Sequence, residues 1–164
     1  MRTLYLCRHA KSSWADDGQD DFDRPLNERG LHDAPMMARL FRERGEPVDR
    51  IVSSDANRAL TTARAFAREL HLADDRFVQE PHLYHANVST IARVVNALPD
   101  SVQRAVLFGH NPGFTAAVEH FSSEDIGNLP TCGMVRIDFT VGEWRQVMRD
   151  LGTLTWFDYP KRAR

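Results

Sequence analysis

Leu4-Tyr5-Leu6-Cys7-Arg8-His9-Ala10 opens with an apolar run of strand length that stops abruptly on a guanidinium and an imidazole. Two more runs follow the same plan, with a further short run between them. Ile51-Val52-Ser53-Ser54 leads toward Arg58, Phe77-Val78 is a short strand candidate, and Ala105-Val106-Leu107-Phe108 stops at Gly109-His110. Between them lie helical periods. Asn27 can cap a helix with Leu31, Ala34, Met37, Ala38 and Phe41 on one face, ended by Gly45 and Pro47. Ser54 or Asp55 can cap a second, with Ala59, Thr62, Ala63, Phe66, Ala67 and Leu70 on its apolar face. Val88 to Leu98 and Phe114 to Phe121 read as two more. Met134 to Val141 and Trp144 to Leu151 alternate like strands paired through a turn at Gly142. Strands alternating with helices imply an α/β fold: a three-layer α/β/α sandwich, its central sheet mostly parallel with an antiparallel edge.

In such sheets ligands bind beyond the carboxyl ends of the strands. Arg8-His9, Arg58 and His110 all follow strand ends, so the pattern brings them to one end of one sheet. Guanidinium forks bind phosphoryl oxygens in bidentate fashion and stay charged at any working pH. Two arginines beside His9 disfavour its protonated form, and a neutral imidazole is what a nucleophile requires. A backbone acceptor on one ring nitrogen would fix the tautomer and leave the other facing phosphorus. The N–H groups of Gly109 to Gly113, at a helix start, are further donors for an anion.

The 164 residues suit one domain, 1–164, around a single core. A net charge of −2 gives no general attraction to nucleic acid or anionic membrane, so anion binding must come from a local cation cluster. The N-terminal apolar stretch is too short for a signal-peptide core, and no segment approaches membrane-spanning length. Cys7 and Cys132 make no disulfide framework and are expected to be reduced, which points to the cytoplasm. Neither cysteine has an arginine six positions on, and no phosphate-binding glycine loop with lysine and serine or threonine appears.

Arg8-His9-Ala10-Lys11, Leu26-Asn27-Glu28-Arg29-Gly30, Ser53-Ser54-Asp55-Ala56-Asn57-Arg58-Ala59-Leu60-Thr61-Thr62 and Gly109-His110-Asn111-Pro112-Gly113, in this order, resemble the histidine phosphatase superfamily. The length and the His-Asn-Pro-Gly form look like its SixA-type phosphohistidine phosphatase branch. The resemblance implies the phosphoglycerate-mutase-like fold and a metal-independent phosphatase without cofactor. On that resemblance His9 accepts the phosphoryl group, Arg8 and Arg58 bind phosphate, and His110 is the second histidine. Two departures stand out. The larger mutase-like members have glycine after the histidine and an asparagine further along, where this chain has Ala10 and Ala15. They also carry an acidic residue as general acid. The corresponding segment here, Glu80 to Ala86, offers Glu80 and His85, and the SixA-like branch is known for lacking the usual acid. Imidazole leaves phosphorus more readily than an alkoxide, so a missing acid fits a phosphoramidate substrate.

Other residues stay open between function and support. Lys11 either adds charge near the phosphate or is a solvated loop lysine. Ser12 and Ser13 either donate to ligand or hold the turn, and Asn111 either lines the pocket or stabilises the turn before Pro112. The Asp16, Asp17, Asp20, Asp21 and Asp23 loop lacks the EF-hand pattern and reads as a solvated loop near the pocket mouth. His82 and His85 are spaced like metal ligands without a recognisable third, so no metal is expected. Arg39, Arg42 and Arg44, and the tail Lys161, Arg162 and Arg164, read as solvated surface. The leading expectation is hydrolysis of phosphohistidine, on a phosphorylated protein or small molecule. A broad phosphomonoesterase of the same fold is the alternative, and a silent phospho-ligand-binding module the third reading.

Overall fold

A computed structural model describes residues 1–163; Arg164, of the basic tail, lies outside the described residues. The strands are β1 (Arg2–Arg8), β2 (Arg50–Ser53), β3 (Phe77–Gln79), β4 (Arg104–Gly109), β5 (Met134–Phe139) and β6 (Gly152–Asp158). The helices are α1 (Glu28–Glu43), α2 (Asn57–Glu69), α3 (Val88–Asn96), α4 (Gly113–Ser122) and the short α5 (Pro160–Ala163). The strands form one sheet in the order β3-β2-β4-β1-β5-β6. β3, β2, β4 and β1 run parallel, while β5 is antiparallel to both β1 and β6. The expected mostly parallel sheet with an antiparallel edge is present.

Alternation along β1 explains the layers. Leu4 and Leu6 face a core shared with Leu107 and with α3 and α4 residues such as Ile91, Val95 and Phe114. Tyr5 and Cys7 face the opposite core with Met37, Phe41 and Phe66 of α1 and α2. β4 alternates likewise, Ala105 and Leu107 one way and Val106 and Phe108 the other. Successive side chains of a strand point to opposite faces, so a strand with both faces covered must be apolar throughout.

Three local expectations change. The last strand is not Trp144 to Leu151: Trp144–Gln146 form a 3-10 turn, and β6 begins at Gly152. Trp144 is fully buried from that loop, its indole N–H donating to the Val102 carbonyl at 2.6 Å. The apparent alternation came from Trp144 and Val147 dipping into the core, their carbonyls both held by the Asn96 amide at 2.9 Å. Leu31 is 58% exposed. The first turn of α1 packs instead through Gly30, where a Cβ would lie 2.1 Å from the Lys11 carbonyl oxygen. Finally, α2 has Ala56 at its N-cap without a side-chain cap, because Ser54 and Asp55 precede that position. Asn27 does cap α1, accepting from the Gly30 N–H at 2.9 Å. Among the described residues no helix is long and apolar enough to cross a membrane.

Candidate active site

His9 follows the carboxyl end of β1. Its N–H donates to the Gly109 carbonyl at 3.0 Å, and its carbonyl accepts from the Cys132 N–H at 2.9 Å, so the backbone is held from both neighbouring strands' ends. The next N–H, of Ala10, donates to Thr62 Oγ1 at 3.0 Å, and that hydroxyl donates to the Arg58 carbonyl at 2.8 Å. The imidazole Nδ1 lies 2.7 Å from the Ala10 carbonyl oxygen. A carbonyl only accepts, so Nδ1 carries the hydrogen and Nε2 keeps its lone pair. Burial above all, then Arg58, Arg8 and Arg24, lower the His9 pKa to about 3 against the opposing pull of the Ala10 carbonyl. The ring is neutral with its Nε2 lone pair free, the form that the sequence pattern requires of a nucleophile, although desolvation outweighs the arginines as the reason.

Arg8, Arg58 and His110 converge on the same cavity, which encloses about 140 Å³. β1 and β4 pair in register with Arg8 opposite Gly109, which sets His9 and His110 side by side with ring centroids 5.3 Å apart. Arg58 sits in the first turn of α2, where that helix leaves β2. Nε of Arg8, Nε of Arg58 and Nδ1 of His110 are buried and meet no protein acceptor among the described residues. Buried polar groups ordinarily find a partner, so three orphaned groups around one cavity mark a place for an acceptor-rich ligand. His110 Nε2 lies 2.8 Å from Ser54 Oγ. With the serine hydroxyl donating, the hydrogen of the neutral ring is on Nδ1, the orphaned atom. Burial first, then His9, Arg58 and His85, lower the His110 pKa to about 3.

The acidic loop is not wholly solvated. Its 3-10 turn, Asp21–Asp23, carries Asp21 into the site. The Asp21 carboxylate accepts from Arg58 Nη2 at 3.0 Å, Arg24 Nη1 at 2.9 Å and Tyr84 Oη at 2.7 Å, and lies 3.1 Å from His85 Nε2. Partial burial opposes its ionisation, but the hydrogen bonds from Tyr84, Arg24 and Arg58 hold it well below the usual carboxylate range. Arg24 itself is buried, donates to Ser12 Oγ and to the Ser13 carbonyl, and lies over the Trp14 ring 3.3 Å from its centroid. Asp21, Arg24, Tyr84 and Trp14 were missed by the sequence reading. A weak signal was an arginine and a tryptophan bracketing an acidic loop just after the first motif.

The other candidates divide. Lys11 and His85 line the cavity. Ser12 also lines it, but its hydroxyl is engaged by Arg24. Asn111 lines it too, yet its amide donates to Asn128 Oδ1 and the Leu129 carbonyl while its oxygen accepts twice from Thr115, so the side chain secures the turn. Glu80 is not brought to the site. Its carboxylate folds back on the next turn, accepting from the His82 N–H at 3.1 Å and pairing with the His82 ring at 2.9 Å, beside α3. His82 and His85 therefore serve different carboxylates. A larger concavity of about 720 Å³, lined by residues such as Arg64, His71 and Phe77, holds none of the converging groups.

The sequence pattern of the histidine phosphatase superfamily (branch 1) matches residues 4–103. The structure aligns with that of a protein from Agrobacterium tumefaciens provisionally designated phosphohistidine phosphatase SixA, with a TM-score of 0.83 and 33% identity over 97% of this chain and 98% of that one. A tungstate complex of the protein histidine phosphatase SixA shares the fold, with a TM-score of 0.84 and 19% identity over 99% of both chains. An uncharacterised protein of Mycobacterium tuberculosis is 30% identical over 167 aligned positions, 94% of this chain and 99% of its own.

Proposed function

The chain belongs to the histidine phosphatase superfamily, and we propose that it hydrolyses phosphohistidine, in a protein or a small phosphoramidate, by way of a phosphoryl group carried on His9. The observation that carries this reading is the make-up of the cavity wall. Arg8, Arg24, Arg58 and the neutral His110 ring surround His9, and among the described residues no carboxyl group lines the cavity. Asp21, at its edge, is held ionised and has no proton to give. An alkoxide leaving group needs an acid, whereas an imidazole protonated on its distal nitrogen leaves as a neutral ring.

The chemistry then runs in two displacements. His9 Nε2 attacks phosphorus, the P–N bond of the substrate breaks, and its electron pair stays on the departing imidazole nitrogen. Arg8, Arg58 and His110 Nδ1–H meet the equatorial oxygens. Water then attacks the phosphorylated His9, its proton passing to His85, and the electron pair of the P–Nε2 bond returns to His9. Phosphate leaves. Arginine charge in a fixed geometry supplies what a metal would otherwise supply, so turnover is expected to survive a chelator. The reading takes 1–164 as one catalytic domain, which the continuous six-stranded sheet supports. The buried, unbridged Cys7 and Cys132 support a reducing, cytoplasmic setting.

A broad phosphomonoesterase remains the second reading, favoured by one observation: His85 lines the cavity with Asp21 behind it, an arrangement able to protonate an alkoxide. The test compares kcat/KM for phosphohistidine, phosphoserine and 3-phosphoglycerate. Phosphohistidine is expected to be fastest, with an acid-labile, alkali-stable phosphoenzyme that disappears in His9→Ala. Faster turnover of 3-phosphoglycerate overturns the phosphohistidine reading, and full turnover by His9→Ala overturns the mechanism itself.

A further inference from the structure

Beside the phosphate cavity lies a second one of about 280 Å³, and the two share His85 and Asn111 in their walls. The second wall is of opposite character. Ala86, Val88, Pro112 and Ala116 supply apolar surface, and apart from His85 none of its side chains is ionisable. Its floor is fixed, because a Cβ on Gly113 would lie 2.0 Å from the Ala86 carbonyl oxygen, which leaves the start of α4 pressed directly against that segment. Pro112 and Ala116 are exposed around it.

We propose that this cavity is a substrate subsite taking the apolar side chain next to the phosphorylated histidine of a polypeptide. The inference rests on the phosphohistidine reading above. The two shared wall residues set the cavities side by side, within reach of one bound polypeptide. Free phosphohistidine brings an α-ammonium, for which this wall has no carboxylate, and an α-carboxylate, for which it has only His85; burying an unpaired charge is costly. A polypeptide carries those positions as neutral amides and can offer an apolar side chain to a pocket of side-chain dimensions.

The experiment measures kcat/KM for three substrates: a phosphohistidine peptide with leucine as neighbour, the same peptide with aspartate there, and free phosphohistidine. Each is assayed with the wild-type chain and with Ala116→Gln, a neutral change on an exposed helical position that leaves the phosphate cavity's charge unaltered. The leucine peptide is expected to exceed both others by about tenfold, the scale on which an apolar pocket discriminates. Ala116→Gln should remove most of that advantage while free phosphohistidine changes less than about twofold. Equal values for all three substrates, or an equal fall of all three in Ala116→Gln, overturn the subsite and leave the phosphohistidine reading standing. No turnover of any of the three by a chain that hydrolyses p-nitrophenyl phosphate overturns both.

Discussion

Arg58 is tied to Asp21 at both terminal nitrogens. Nη1 donates to the Asp21 carbonyl at 2.6 Å and Nη2 to its carboxylate at 3.0 Å. Nε is buried and without a protein partner, and each terminal nitrogen keeps a second hydrogen, so a bound phosphoryl oxygen would meet Nε–H beside one of these. The carboxylate thus aims the arginine rather than competing for its whole fork.

Asp21→Ala removes that aim and also a negative charge beside Arg58. Loss of a fixed orientation can cost on the order of tenfold to a hundredfold in rate. The expected outcome is a kcat lower by that factor, with inorganic phosphate inhibiting no more weakly than in the wild type. Asp21→Asn keeps an acceptor oxygen and should recover part of kcat. Steady-state kinetics with product inhibition decide it, and an unchanged kcat in Asp21→Ala would count against the positioning role.

His9 and His110 both have pKa values lowered to about 3, whereas an unfolded histidine titrates near 6.5. Between those values the unfolded chain binds more protons than the folded one, so stability rises with pH across that window and is lost as pH falls through it. Thermal unfolding followed from pH 7 to pH 4 should show Tm decreasing on acidification. His9→Asn and His110→Asn should each flatten the slope. A slope identical in all three proteins contradicts the assignment.

What the sequence made legible, and what it did not, follows from contact range. Arg8, His9 and His110 were readable because each ends an apolar run, and strand ends in a parallel sheet converge by topology alone. Arg58 was readable from its place after β2. Asp21 was not, because its partners Arg58, Tyr84 and His85 lie 37, 63 and 64 positions away and are reached from a loop without periodicity. Glu80 failed as an acid candidate for a local reason: a histidine two residues on captured its carboxylate. The misplaced last strand shows the same limit. A loop that dips twice into a core produces the alternation of a strand until the residues that hold it, here Asn96 and Val102, are known.

Gly30→Ala tests the contact between α1 and the loop that follows His9. Alanine favours an isolated helix over glycine by about 1 kcal/mol. Here the added Cβ would sit 2.1 Å from the Lys11 carbonyl oxygen, and Lys11 is itself fixed by accepting the Asn27 N–H at 3.0 Å. Backbone faces backbone, so no side chain can rotate away, and overpacking of this kind costs about 1–3 kcal/mol. Calorimetry should show a Tm lowered by several degrees, together with reduced turnover as Lys11 and Ser12 shift. A raised Tm would mean that helix propensity, not the close approach, governs this glycine.

Arg24→Lys separates charge from shape at the cavity rim. The guanidinium meets the Ser12 hydroxyl, the Ser13 carbonyl, the Asp21 carboxylate and the Trp14 ring at once, using three nitrogens and its planar face. Lysine keeps the charge but presents it at one point, so it can satisfy one or two of these four partners and cannot stack. If Arg24 served only to attract phosphate, lysine would substitute for it. The geometry instead makes it the clamp that joins the segment after His9 to the Asp21 loop, so kcat/KM should fall by about tenfold in Arg24→Lys, nearly as far as in Arg24→Ala. Trp14 is 72% exposed while Trp144 is fully buried, so a change in emission that vanishes in a Trp14→Phe background reports release of the ring. Wild-type kinetics in Arg24→Lys, with unaltered emission, would reduce Arg24 to a positive charge beside the cavity.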